Sequence, residues 1–139
     1  MFLQQVLVKY TKDVQHIAKT MLNWLKGKPK LNWKNLESIE QLNELFDDSL
    51  QNGTRFGLFK HSTRCSISTM AKSRLDAVED ESAIPCYYLD LLAHRDVSNA
   101  IAELTQVEHA SPQLFVIEQG KVVSVSSHNS ISPGEIAKQ

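Results

Sequence analysis

Apolar residues recur through the opening segment with a heptad rhythm: Leu3, Leu7, Tyr10, Val14, Ile17, Met21 and Trp24 follow at alternating steps of four and three. With Val6, Ala18 and Leu25 beside them, this spacing predicts an amphipathic helix of about three heptads, closed off by Gly27 and Pro29. After a linker from Lys26 to Lys30, residues 36–46 read as a second helix, with Leu42, Leu45 and Phe46 on one face and Asn52-Gly53 ending it. Short apolar runs then alternate with helical spacings. Strands are expected at 55–60, 85–90, 113–118 and 121–126, and helices at 66–77 and 96–105. Gln119-Gly120 joins the last two strands as a compact hairpin link. This order predicts an α/β sandwich with parallel pairing early in the chain and antiparallel pairing late.

The expected division is a basic helical arm with its linker at 1–30 and one domain at 31–139, since 139 residues with 42% apolar content build one ordinary core. Met21 supplies a second candidate start, which leaves residues 1–20 as either a native arm or an upstream extension. Charge separates the two parts. Residues 1–34 carry seven lysines against Asp13 alone, a net of +6, whereas residues 35–139 carry eight Lys and Arg against fifteen acids, a net of −7. A basic amphipathic arm of this kind suits its own domain, self-association, or peripheral attachment to a membrane or partner. Nucleic acid is disfavoured, because the lysines come without a binding motif or regular interleaving of aromatics. No apolar run approaches the ~20 residues of a membrane span. Two cysteines without an evident framework suit a reducing compartment, with the cytoplasm as the default location.

Candidate chemistry concentrates at Thr63-Arg64-Cys65-Ser66-Ile67-Ser68, where an apolar strand gives way to helical spacing at Ile67, Met70, Ala71 and Leu75. A cysteine at a helix start meets free backbone N–H groups and the positive end of the dipole, which favour thiolate over thiol. Arg64, His61 and Lys60 add positive potential; the ordinary alternative is a buried or merely capping cysteine. The third residue beyond Cys65 is Ser68, so a Cys-x-x-Ser motif replaces the dithiol arrangement and a monothiol exchange mechanism follows. Ser68 is expected either to hydrogen-bond the thiolate or to cap the helix, and Ser66 is a second candidate cap. His61 is an auxiliary candidate that steadies the anion or shuttles a proton; its ordinary alternative is a surface histidine on a loop. Cys86, in an apolar strand, reads as a small buried hydrophobe. His94, His109 and His128 lack the paired spacing of a zinc site, so no metal is expected. Phosphate loops and serine-hydrolase elbows are absent, and Glu79-Asp80-Glu81 reads as a solvated turn.

Taken together, Phe59 to Ser68, Ile84 to Asp90, Val97 to Ala102 and His109 to Gln113 resemble the monothiol bacilliredoxin (YtxJ-like) family of the thioredoxin-like superfamily. The resemblance spans about residues 32–136 and includes a Ser127-His128-Asn129-Ser130-Ile131-Ser132 ending similar to the family's Ser-His-x-x-Ile-Thr. It departs where the family commonly has Thr-Cys-Pro-Ile-Ser: Arg64 precedes the cysteine here and Ser66 replaces the proline. The basic arm lies outside it.

The resemblance implies a thioredoxin-like fold, a central mixed sheet flanked by helices, with an extra N-terminal amphipathic helix. It implies that Ser111-Pro112 is the cis-proline turn of that fold, although an isolated proline is ordinarily trans. It further implies a thiol-disulfide oxidoreductase that removes bacillithiol from S-bacillithiolated client proteins through Cys65. Thr63, Arg64, Ser66, Ser68, Ser111 and Pro112 are then the candidate substrate contacts. Bacillithiol is the co-substrate, and no tightly bound cofactor is needed. Two other readings compete: a glutaredoxin-like enzyme using another small thiol, and a non-enzymatic thioredoxin-like module recruited through the basic helix.

Overall fold

The computed structural model describes residues 1–27 and 29–139; Lys28, within the expected linker, lies outside the described residues. In chain order the elements are α1 (Phe2–Lys26), β1 (Trp33–Asn35), α2 (Ile39–Asn52), β2 (Phe56–His61), α3 (Ser66–Asp76), β3 (Cys86–Asp90), α4 (Arg95–Thr105), β4 (Gln113–Glu118) and β5 (Lys121–Ser127). Short 3-10 turns at Asp80–Ser82, His128–Ser130 and Pro133–Ile136 complete the chain. The sheet has the order β1-β3-β2-β4-β5. β3 pairs parallel with both β1 and β2, whereas β4 pairs antiparallel with β2 and β5, the mixed pairing expected from the element order.

The central strand β2 is buried at all six positions, and its alternation distributes side chains between two layers. Phe59 faces a core formed with Ala71 and Leu75 of α3, Leu114 and Val116 of β4, and Ile136. Phe56 and Leu58 face the other core, formed with Leu42 of α2, Leu89 of β3, and Val97 and Ile101 of α4. Each of these large side chains stabilises the fold by about 1.5–3 kcal/mol through removal from water. Gly57 lies where β2 presses against its neighbours: an added Cβ would sit 3.2 Å from both Cys86 Sγ and Ile136 Cγ2. In the hairpin, Gln119 and Gly120 have φ of 51° and 69°, the left-handed pair that a two-residue turn requires.

Three local features differ from the sequence expectation. The second helix starts at Ile39, not Leu36, because Ser38 takes an extended conformation and its side chain accepts from the Gln41 N–H. Leu36 instead donates its N–H to the Tyr88 carbonyl and buries its side chain fully. Trp33–Asn35 adds an unforeseen edge strand. Its Trp33 indole donates to Asp76 Oδ1 and its ring lies beneath Lys72 Nζ at 5.7 Å, tying the sheet edge to α3. The 79–81 acidic turn is also less free than expected, since Asp80 Oδ1 accepts from the Asn32 N–H and the Asp80 N–H donates to the Pro29 carbonyl. By contrast, every residue from Met1 to Gly27 is exposed. No helix among the described residues is long and apolar enough to cross a membrane.

Candidate active site

Cys65 is the N-cap of α3, in an extended conformation with φ of −110° and ψ of 121°. Its N–H donates to the Ser62 carbonyl at 3.2 Å, and its own carbonyl accepts from the Thr69 N–H at 3.0 Å and from Thr69 Oγ1 at 3.2 Å. The backbone is therefore held on both sides while Sγ makes no capping hydrogen bond. The thiol is free and partly exposed, and the first-turn N–H groups of α3, which lack intrahelical partners, surround this end of the helix. Ser66 is the first helical residue, not the cap, and is exposed. Thr63 and Arg64 are exposed beside it.

Ser68 and His61 occupy places that correct the sequence expectation. Ser68 is wholly buried, and its Oγ accepts from the Ser62 N–H at 3.0 Å and lies 2.7 Å from His61 Nδ1. It neither caps α3 nor presents a surface to substrate; it clasps the loop that carries Cys65. His61 is the last residue of β2, 5% exposed, and stacked against Phe59 with centroids 5.8 Å apart, instead of lying on a surface loop. Burial, followed by the nearby Lys72 charge, lowers the His61 pKa and favours the neutral ring. The Ser68 hydroxyl, with one donor hydrogen and two acceptor lone pairs, thus bridges the Ser62 N–H and His61 Nδ1. Ser68→Ala should strand both Nδ1 and the Ser62 N–H, costing about 1–3 kcal/mol of stability in urea unfolding. An unchanged unfolding midpoint would show that the clasp contributes nothing.

The Ser111–Pro112 peptide bond is cis. Gln113 pairs with Lys60 across β4 and β2, so this turn and the Cys65 loop leave the sheet at the same end. The turn is held by several contacts. Gln113 Oε1 accepts from the Ala110 N–H, Gln113 Nε2 donates to the Glu108 carbonyl, and the Pro112 carbonyl accepts from the His128 N–H at 3.1 Å. Arg74 of α3 donates in turn to the His128 and Ile131 carbonyls, so the His128 backbone links the proline turn to the cysteine helix. Its side chain is exposed. Ser111 Oγ is buried with no hydrogen-bond partner among the described residues.

Cys86 is 1% exposed, donates Sγ–H to the Ile84 carbonyl at 3.2 Å, and has its pKa pushed up to about 12, chiefly by burial. It stays a thiol at neutral pH. Two other features escaped sequence reasoning. Ile67 and Met70 are exposed, because the buried stripe of α3 runs one position aside through Ser68, Ala71 and Leu75; they give the cysteine helix an apolar outer edge. Lys60 is fully buried, and the only hydrogen-bond partner of its Nζ among the described residues is the Ser98 carbonyl at 3.3 Å. The alternation of apolar residues along β2 could have flagged its inward position; nothing in the sequence could have shown that no carboxylate among the described residues pairs with it. Among the described residues, no group of three or more His, Cys, Asp or Glu is placed to hold a metal ion.

A family model described as Monothiol bacilliredoxin BrxC matches residues 34–136. The chain belongs to the monothiol bacilliredoxin family. Bacilliredoxin membership places Cys65, Ser68 and the Ser111-Pro112 turn all within the matched segment and leaves α1 outside it. A solved structure described as an oxidoreductase with a thioredoxin fold is 31% identical, with a TM-score of 0.64 over 72% of this chain and 86% of that one. Thioredoxins from Malassezia sympodialis and Fasciola hepatica are similar in fold alone, at 15% and 14% identity. Their TM-scores are 0.58 over 77% of this chain and 86% of that one, and 0.57 over 73% and 90%. This bacilliredoxin therefore has a thioredoxin fold, and its function is thiol redox chemistry.

Proposed function

We propose that the protein removes bacillithiol from S-bacillithiolated client proteins by monothiol exchange at Cys65. The observation that carries this reading is the isolation of Cys65: it is partly exposed at the positive end of a helix dipole, while Cys86 is buried and held as a thiol. The Cys65 thiolate attacks the bacillithiol sulfur of the mixed disulfide, forming a new S–S bond as the client sulfur leaves and takes up a proton. A second bacillithiol thiolate then attacks that bacillithiol sulfur, releasing bacillithiol disulfide and restoring Cys65. In the net exchange the incoming bacillithiol sulfur is oxidised from thiol to disulfide as the client sulfur is reduced from disulfide to thiol, and no tightly bound cofactor takes part. Such exchange belongs in the reducing cytoplasm.

Thr63, Arg64 and Ser66 are exposed around the sulfur and supply two hydroxyls and a fixed positive charge for a polar, acidic small thiol. Ser111 and Pro112 close the same end of the sheet: the Ser111 backbone aligns the disulfide, and Pro112, its carbonyl taken by the His128 N–H, fixes the turn. The exposed pair Ile67 and Met70 gives the client an apolar footing. One client protein carrying either bacillithiol or glutathione on the same cysteine tests the assignment. Release from the bacillithiol adduct should be at least about tenfold faster, with intact mass showing one bacillithiol on Cys65 between turnovers. Equal or faster release from the glutathione adduct would overturn the substrate and favour the glutaredoxin-like reading.

A further inference from the structure

The helix α1 presents two opposed faces, and the domain covers neither. At 100° per residue, Lys12, Lys19 and Lys26 fall on one line, with Lys9 to one side, and this line runs opposite the Leu7–Val14–Met21 seam. The apolar face is broader than the seam of a two-stranded coiled coil, because Phe2, Val6 and Leu25 extend it on both flanks. Phe2 and Trp24 at its two ends are 80% and 81% exposed. The positions bordering the seam are Gln4, Thr11 and Ala18 on one side and Val6, Asp13 and Thr20 on the other, which offer no complementary ion pairs to a second copy. Lys30 and Lys34 continue the positive charge past the helix.

A wide apolar face ending in aromatics, with lysines opposite and one acid, matches a helix lying in a lipid interface and held there by anionic headgroups. We propose that α1 docks the protein onto an anionic membrane surface. The helix then lies in the surface plane and the exchange domain hangs below it, which brings Cys65 to membrane-associated clients. Docking is independent of the thiol chemistry, because α1 contributes no residue to the candidate site.

Flotation of the full-length chain with phosphatidylcholine vesicles, and with vesicles of phosphatidylcholine mixed with phosphatidylglycerol, tests this. Binding to the mixed vesicles should exceed that to pure phosphatidylcholine by about tenfold or more, and should fall steeply as salt is raised. The full-length double variants Leu7→Glu with Ile17→Glu, and Lys12→Gln with Lys19→Gln, should each lose most of that binding. Their Cys65 should keep its wild-type rate of alkylation, a check that the domain is intact. Equal binding to both vesicle types, or undiminished binding by the lysine variant, would overturn the proposal. So would a lipid-free oligomer that Leu7→Glu dissociates, since the apolar face would then be covered by a second copy.

Discussion

Cys65→Ser should abolish turnover of a bacillithiolated client, lowering the rate on the order of 10³-fold or more, because a serine hydroxyl is not ionised near neutral pH and cannot displace a thiolate from a disulfide. The variant should fold normally. Cys65 Sγ is not used in capping, and the three hydrogen bonds that hold the backbone here run through its N–H and carbonyl, which serine retains. No bacillithiol adduct should appear on the variant by intact mass. Cys86→Ala supplies the contrast: its sulfur is enclosed and protonated, so exchange should persist while stability drops by about 1 kcal/mol from lost packing. Equal turnover by wild type and Cys65→Ser would remove Cys65 from its assigned role, and loss of turnover in a folded Cys86→Ala protein would overturn the single-thiol mechanism.

The arrangement around Cys65 gives the single-cysteine motif a structural purpose. In a Cys-x-x-Cys dithiol the third residue onward is a second sulfur; here that position turns inward and ties His61, Ser62 and the first turn of α3 together. The loop is thereby fixed by a neutral hydrogen-bonded pair that does not change with redox state. A fixed loop with one sulfur suits a protein that stays in one conformation whether Cys65 is free or carries a small thiol.

Patterns that repeat along the chain were legible, and features that depend on distant partners were not. The cysteine at a strand-to-helix junction, the Ser-Pro turn before β4 and the Gln119-Gly120 hairpin all announce themselves locally, through composition and the change of period. Local spacing lets Leu36 read as helical; the Ser38 cap and the bond to the Tyr88 carbonyl place it before the helix. Trp33–Asn35 is too short for any periodicity, and its pairing with Cys86–Tyr88 exists only after β3 is in place. The polar residues after His61 suit a loop histidine, whereas pairing with Asp90 and packing against Ser68 and Tyr88 extend the strand by one residue. On α3, a difference of one position separates the buried Ser68 from the exposed Ile67, and apolar spacing alone chose the wrong side.

Lys60→Met should raise stability at pH 7 by about 2 kcal/mol, and the gain should vanish at alkaline pH. The lysine side chain is fully buried on the α4 side of β2, with the Ser98 carbonyl as its sole hydrogen-bond partner among the described residues, and burial lowers its pKa to about 8. The charged groups around it do not help. His109, which feels the Lys60 charge, has its own pKa lowered by burial, then by Lys60 and Arg95, and supplies no opposing charge. Between the folded value near 8 and the unfolded value near ~10.4, the unfolded chain binds more protons than the folded one, so this group makes stability rise with pH by about 3 kcal/mol across that window. Below pH 8 the ammonium is charged in both states and its full burial cost remains. Methionine fills a similar volume without that cost, less a packing loss of about 1 kcal/mol. Cys86 acts oppositely above pH 9, since its raised pKa makes stability fall as the unfolded thiol ionises, and His61 matters only on the acid side, where its lowered pKa removes stability below about pH 6.5. Both groups are common to the two proteins, so the difference between variant and wild type in urea unfolding isolates Lys60. That difference should be largest and nearly flat between pH 6.5 and 8, should reach zero at about pH 9.7, and should reverse above that pH toward the packing loss of about 1 kcal/mol. A gap that stayed constant across the alkaline range would mean that Lys60 is not buried as a cation at neutral pH, and a variant less stable than wild type at pH 7 would mean that the ammonium has a compensating partner.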